Sequence, residues 1–304
     1  EKNQRCGFVT LLGEPNVGKS SLINKLTGEK ISIVTHKSQT TRTRIRGIAI
    51  EGSSQMIFVD TPGLFKPKRR LDRAMVSEAW TGALDGDIIL ILVDAVRNIT
   101  AGNKRIIQSL NEITLARKST YLLINKIDQV KRENLLSISK AFNALYQFEY
   151  TFMISALKGD GLKELITTLS QKLPLGPWLY PDDQIADFPI RMHAAEITRE
   201  KLLLRIHEEI PYQLTVEPEY WKIRKDGSIE ISQIIFVTNQ RHKGIILGRN
   251  GETIKAVSIS SRKELKDFLK TEIHLFLEIK VRKNWQNEAV RYENIGLSFK
   301  GSNL

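Results

Sequence analysis

Cysteine is nearly absent. Cys6 is the only one in 304 residues, which excludes an internal disulfide and a cysteine-ligated metal centre. The residue itself reads as a small buried hydrophobe of the first strand. No apolar run approaches the ~20 residues that a membrane-spanning helix needs, so a soluble globular chain is expected. Low-complexity tracts and internal repeats are missing. Glu1 is not a start methionine, the expectation for a trimmed N-terminus, and no charged-then-apolar export signal is visible. A cytosolic location fits these absences. Proline is scarce, nine in all, yet Pro174, Pro177, Pro181 and Pro189 fall in one short stretch. That stretch breaks the regular pattern and reads as a linker at 174–189.

Acidic side chains are in deficit. Lys and Arg number 46 against 34 Asp and Glu, a net charge of +12, which favours polyanionic partners. Residues 1–181 hold 26 basic and 16 acidic side chains, whereas 182–304 hold 20 and 18. A nucleotide site also recruits cations, so charge by itself does not separate nucleotide from nucleic acid.

What is present is organised around Gly13-Glu14-Pro15-Asn16-Val17-Gly18-Lys19-Ser20. It reads G-x-x-x-x-G-K-S, the phosphate-binding loop. The apolar Phe8–Leu12 precedes it as a strand, and Ser21–Leu26 continues it at helical spacing. Gly13 and Gly18 let the backbone turn its N–H groups inward, and the helix dipole points the same way. Lys19 supplies charge to the outer phosphates, and the Ser20 hydroxyl is the expected magnesium ligand. Glu14, Pro15, Asn16, Val17 and Ser21 complete the candidate contacts.

Further motifs follow in order. A polar stretch holds Lys37, Arg42, Arg44 and Arg46 around Gln39-Thr40-Thr41. It reads as switch I, with Thr41 the candidate magnesium ligand and Thr40 the alternative. Its basic residues are either a solvated loop or a surface for RNA or a regulator. Gln55–Val59 reads as a buried strand ending in Asp60-Thr61-Pro62-Gly63, a D-x-x-G. Asp60 is placed to hold magnesium, and the Gly63 N–H to bond the third phosphate. Leu64 stands where Ras-like enzymes carry a water-positioning glutamine. Lys66–Arg73 is a second basic segment, expected to be mobile as switch II. Asp87–Asp94 and Tyr121–Ile124 read as parallel-sheet strands. Asn125-Lys126-Ile127-Asp128 is N-K-x-D. The Asp128 carboxylate can accept both the N1–H and the amine of guanine, which adenine cannot match. Asn125 is expected to brace the loops and Lys126 to lie over the base. After the strand Thr151–Ile154 comes Ser155-Ala156-Leu157, where the Ala156 N–H is expected to meet the guanine O6. Thus residues 1–173 read as an α/β P-loop GTPase domain with a doubly wound, mostly parallel sheet and its ligand at the strands' carboxyl ends. The candidate catalytic set is Lys19, Asn16, Thr41 and Gly63; the metal set is Ser20, Thr41 and Asp60.

Residues 190–283 read as a smaller α+β domain. A helix is expected at about Ala194–Glu209, strands at Gln213–Ile223 and Ile229–Val237, a helix through Phe268 and a strand at His274–Val281. Gly248-Arg249-Asn250-Gly251 is a G-x-x-G between two short helices, the arrangement of a type II KH domain. Arg241, Lys243, Gly248, Arg249, Asn250, Gly251 and Lys255 are the candidate RNA contacts. His242 reads as a surface residue, and in the tail 284–304 Trp285 and Tyr292 read as packing residues.

These stretches, together with Ala195–Lys201 and Glu208–Tyr212, resemble the bacterial Era GTPases over nearly the whole chain. The resemblance implies binding to the 3′ end of 16S rRNA, promoted by GTP, and a role in assembly of the 30S subunit and rRNA processing. It also implies a cytoplasmic protein, with peripheral inner-membrane association in some members, Mg2+ as cofactor, and a monomer. Related GTPases with an asparagine at the place of Asn16 coordinate a potassium ion; shaping of the loop by its side chain is the other reading. A membrane-associated or cell-cycle signalling switch whose KH-like module binds protein stays open. A double GTPase is disfavoured because only one phosphate loop exists, and an ATPase by the N-K-x-D.

Overall fold

The computed structural model describes residues 4–37, 40–42, 44–112, 118–206, 210–294 and 297–299. The apolar run before the phosphate loop forms β1, Arg5–Leu12, and the helix after it is α1, Lys19–Thr27. Then come β2 (Ile45–Glu51), β3 (Ser54–Asp60), α2 (Arg70–Asp85) and β4 (Ile88–Asp94). These lead to α3 (Ala101–Glu112), β5 (Ser119–Asn125), α4 (Arg132–Asn143), β6 (Tyr150–Met153), α5 (Leu162–Lys172) and a short β7 (Ala186–Asp187). Among the described residues the strands form one sheet of order β6-β5-β4-β1-β3-β2-β7. β1 pairs in parallel with β3 and β4, β4 with β5, and β5 with β6, while β2 runs antiparallel to β3 and β7. Every residue of β3 and β4 is buried, as expected for strands covered on both faces. The parallel strands therefore end at one edge of the sheet, and Leu12, Asp60, Asp94 and Asn125 stand there together.

Two expectations change here. The proline-rich stretch 174–189 is not a free linker. Gly176 N–H donates to Gln4 O (3.0 Å), and the buried Gln55 amide binds Leu179 N–H (2.9 Å), Tyr180 N–H (3.1 Å) and Tyr180 O (2.7 Å). β7 then extends the sheet edge at Arg46 and Gly47. The first unit consequently runs to Asp187, and the second begins at Phe188 and includes Thr35–Thr40. The end of the Lys66–Arg73 segment is helical from Arg70, because Asp72 in the first turn accepts the N–H groups of Lys68 (3.0 Å) and Arg69 (2.9 Å).

The second unit contains α6 (Ile190–Arg205), β8 (Leu214–Ile223), β9 (Ile229–Val237), α7 (Gln240–Leu247), α8 (Glu252–Leu269), β10 (Ile273–Val281) and α9 (Ala289–Asn294). Its helix–strand–strand–helix–helix–strand order is that of the expected type II KH domain. The sheet order is β10-β9-β8, with β9 and β10 parallel and β8 and β9 antiparallel. α6 starts four residues before the expected Ala194, and the expected end at Glu209 lies outside the described residues. Ala195, Leu202, Val216, Ile235, Val257 and Ile279 build the core.

The described part of the tail is packed, as its aromatics suggest. Trp285 is 1% exposed and donates through Nε1 to Gln213 O at 3.2 Å. Tyr292 is buried and donates to Gln286 O (2.7 Å). Arg291 lies over the Phe236 ring, 3.9 Å from its centroid, and pairs with Glu217. Trp285→Ala should therefore lower the stability of the second unit by about 3–5 kcal/mol. The measurement is its urea transition, with the first unit's transition unmoved.

Candidate functional site

The phosphate loop joins β1 to α1 through three residues at positive φ: Gly13 (158°), Asn16 (66°) and Gly18 (102°). Val17 is buried beneath it. Lys19 is buried as well, and its Nζ donates to Gly13 O (3.1 Å) and Glu14 O (3.0 Å). The Glu14 side chain points away, accepting from Thr100 Oγ1 at 2.6 Å, so only its backbone belongs to the loop. Ser21 is half-buried in the first turn of α1.

The D-x-x-G segment lies directly on this loop. Leu64 N–H donates to Gly13 O (2.9 Å), and a Cβ on Gly63 would come within 2.8 Å of Pro15 Cγ and 2.9 Å of its backbone. Only glycine fits that approach. Thr61 and Pro62 are buried, with Thr61 Oγ1 donating to Leu11 O at 2.5 Å. Leu64 is 4% exposed and packs in the core, so its side chain offers nothing to a water molecule.

Asp60, at the end of β3, is wholly buried. Its Oδ2 accepts from Ser20 Oγ (2.7 Å), Ser32 Oγ (2.6 Å) and, at 3.4 Å, Thr41 Oγ1. Ser20 Oγ and Thr41 Oγ1 are 3.0 Å apart. Asp60 Oδ1 has no hydrogen-bond partner among the described residues. Burial pushes the Asp60 carboxyl up, against the hydroxyls and Lys19, which hold it down. An all-oxygen cluster with one orphaned carboxylate oxygen fits a hard divalent cation such as magnesium. The two candidate threonines differ in their surroundings. The Thr40 hydroxyl is taken by Thr35 Oγ1 and Lys37 O, both at 2.6 Å, whereas Thr41 is in the cluster. The neighbouring basic residues are not an open surface: Arg42 is buried, Arg44 pairs with Glu78 (2.5 Å) and Asp85 (2.8 Å), and Arg46 with Asp187 (3.1 Å).

At the base end, the Asn125 amide bridges two loops. Nδ2 donates to Val17 O (2.8 Å), and Oδ1 accepts the Ala156 N–H (2.9 Å). A Cβ on Gly18 would meet Asn125 Nδ2 at 2.3 Å, which explains the glycine. The expected use of the Ala156 N–H for guanine O6 changes accordingly, because Asn125 holds that donor. Lys126, at φ 66°, donates to Asn16 O (2.9 Å) and to Asp94 Oδ2 (2.6 Å). Asp128 Oδ1 accepts from Ser155 Oγ (2.7 Å), and Leu157 is 76% exposed beside it. Asp94 and Ser32 are the site residues that motif reading missed. Asp94 carried a signal: like Asp60 and Asn125, it is a polar residue closing an apolar strand. Ser32, inside no motif, carried none.

The second unit presents the glycine loop. Gly248 has φ 73° and lies against α8, where a Cβ would meet Thr253 Oγ1 at 2.2 Å. Asn250 and Gly251 have φ 50° and 78°. Arg249, Asn250, Arg241 and Lys255 are exposed, and Lys243 is half-buried. His242 corrects the surface reading. It is 9% exposed, its ring nitrogens meet Thr238 Oγ1 (2.9 Å) and Asn239 Nδ2 (3.3 Å), and burial followed by Arg241 holds its pKa down.

Comparison with known proteins agrees with this geometry. Residues 8–126 match the family model described as a 50S ribosome-binding GTPase, and 209–286 match a KH domain. The GTPase Era of Dinoroseobacter shibae is 57% identical over 299 residues, 98% of this chain and 97% of that protein. The GTPase Era of Brucella suis is 52% identical over 295 residues, 97% of this chain and 94% of that protein. The chain belongs to the Era family of GTPases. A solved structure of an Aquifex aeolicus Era variant bound to GDP and AlF4− superposes with a TM-score of 0.91 at 35% identity, covering 96% of this chain and 99% of that one. An Era complex with MgGDPNP and nucleotides 1506–1542 of 16S rRNA gives the same TM-score, identity and coverage. No described helix is long and apolar enough to cross a membrane.

In this Era-family chain Lys19 is expected to give nucleotide binding a pH dependence. Burial lowers its pKa from 10.5 to about 8, partly opposed by Asp60 and Glu14. Phosphate oxygens favour the ammonium form, so binding raises that pKa again. Nucleotide affinity should be flat below about pH 8 and fall as the pH rises past it, with proton uptake on binding. Calorimetry of GDP binding near that pH in two buffers of different ionisation heat measures the uptake; its absence would remove the assignment.

Proposed function

We propose that the first unit binds GTP across the edge formed by the ends of β1, β3, β4 and β5, and that the second unit binds the 3′ end of 16S rRNA during 30S subunit assembly and rRNA processing. The observation that carries the first half is the Asn125 amide, which joins the phosphate loop at Val17 to the base loop at Ala156. One polyphosphate and one base can then be held at a fixed separation. Gly13 to Ser20, with Ser21, cradle the phosphates; Thr61, Pro62 and Gly63 close over them. Asp128 reads guanine, with Asn125, Lys126, Ser155, Ala156 and Leu157 around the ring. Ser20, Thr41 and Asp60 hold magnesium, which supplies charge neutralisation at the outer phosphates.

Hydrolysis transfers the third phosphoryl group to water and leaves GDP. Lys19 stabilises charge on the phosphate oxygens, and backbone groups at Thr41 and Gly63 orient the attacking water, since Leu64 is buried. Asn16 adds a further role. Its left-handed backbone and the Lys126 bond to its carbonyl hold it at the loop's rim. We infer that its side chain helps hold a potassium ion there. Turnover should rise when potassium replaces sodium, and Asn16→Ala should lose that rise. A parent enzyme indifferent to the cation, or a variant that keeps the stimulation, would overturn the assignment.

RNA binding is supported by the relative solved with 16S rRNA nucleotides and by the exposed Arg249, Asn250 and Lys255 at a loop where Gly248 and Gly251 permit close backbone approach. Exposed Ile245 and Leu247 precede it at the end of α7 as apolar surface for bases. Replacing Arg249 and Asn250 by Asp should weaken binding of a 16S 3′-end oligonucleotide and flatten its salt dependence, with GTP affinity unchanged. Filter binding at several salt concentrations is the measurement, and unchanged RNA affinity would move the contact elsewhere.

A further inference from the structure

The shortest hydrogen bond to Asp60 comes from a residue outside every motif. Ser32 is fully buried, and its hydroxyl makes the shortest of the hydrogen bonds to Asp60 Oδ2, 2.6 Å against 2.7 Å for Ser20 and 3.4 Å for Thr41. Its backbone is gripped by a single side chain. Asn24 Oδ1 accepts the N–H groups of Ser32 (2.9 Å) and Ile31 (3.0 Å), and Asn24 Nδ2 donates to Ser32 O (2.8 Å). Ile31 and Ile33, on either side, are 2% and 1% exposed and leave Ser32 no freedom to slide. Asn24 lies four residues after Ser20 on α1, hence on the same face of the helix.

We propose that Ser32, set by Asn24, is a positioning residue for magnesium: it fixes the rotation of the Asp60 carboxylate so that Oδ1 is the oxygen left for the ion or its water. The inference rests on the reading of Ser20, Thr41 and Asp60 as the magnesium set. Ser20 and Thr41 are themselves candidate ligands, whose oxygens turn to the ion. Ser32 is not, so its hydroxyl stays with the carboxylate in both the free and the loaded protein. Without it, a buried carboxylate would lose a charge-assisted hydrogen bond and its preferred orientation, the loss that outer-shell partners of metal ligands show on mutation. The device also ties magnesium to α1, since the clamp on Ser32 and the Ser20 hydroxyl belong to one rigid helix.

The test is the release rate of a fluorescent GDP analogue from the full chain, followed from excess EDTA through millimolar Mg2+. Ser32→Ala should raise the Mg2+ concentration for half-maximal slowing by about 10–100-fold, the range for outer-shell partners, with the EDTA rate unchanged. Ser32→Thr, which keeps the hydroxyl, should stay near the parent. Asn24→Ala should shift the Mg2+ response in the same direction, and the double variant should show no more than the larger single effect. A parent-like Mg2+ response in Ser32→Ala would overturn the proposal. So would an equal acceleration with and without Mg2+ in both Ser32 variants, which marks a packing role. Asp60→Ala serves as the control. If it leaves the Mg2+ response unchanged, the metal reading fails; if it shifts the response and Ser32→Ala does not, only the present inference fails.

Discussion

A carboxylate with no access to water governs the first unit. Asp60 is 0% exposed, and an isolated buried charge is costly unless donors surround it. Here three hydroxyls, from α1, from Ser32 in the segment after it and from Thr41 shortly before β2, converge on one oxygen. They bind three separate parts of the chain to the end of β3. The other oxygen is buried with no hydrogen-bond partner among the described residues, an arrangement that suits a hard cation.

The same logic runs through the rest of the edge. Polar side chains at strand ends do not face solvent; they tie neighbouring loops together. Asn125 connects the phosphate loop to the base loop, and Asp94 anchors Lys126, which in turn holds the Asn16 carbonyl. Two glycines exist because of these approaches. Gly18 gives way to the Asn125 amide and Gly63 to Pro15. These contacts join the phosphate loop, the base loop and the D-x-x-G segment into one connected edge.

The second unit uses burial differently. Its glycine loop stands exposed between α7 and α8, while the tail aromatics Trp285 and Tyr292 are packed away. His242, six residues before Gly248, is held inside by Thr238 and Asn239 and is removed from any surface chemistry. Exposed cations, Arg241, Arg249 and Lys255, stand around the loop, although the charge of residues 182–304 is near balance.

Much was legible without coordinates, and for a common reason. Phosphate loop, D-x-x-G, N-K-x-D and G-x-x-G are short segments whose backbone conformation depends on the glycines within them. Each is announced by a continuous apolar strand or an adjacent helix, and local sterics decide all of that. Contacts between segments distant in the chain were not legible. Ser32 stands 28 residues from Asp60 and shows no pattern of its own. The amide of Asn125 captured an Ala156 N–H that local reading had assigned to the base. Prolines at 174–189 suggested a linker, but the Gln55 amide, 124 residues before Leu179, holds that stretch against the start of β3. Arg44 and Arg46 looked like open surface because their acidic partners lie 34 and 141 residues away. Sequence by itself determined which loops would form and what chemistry each could offer. Only the tertiary structure decided which hydroxyl, amide or carboxylate would meet which, because those partners are chosen by packing across the sheet edge and not by neighbours in the chain.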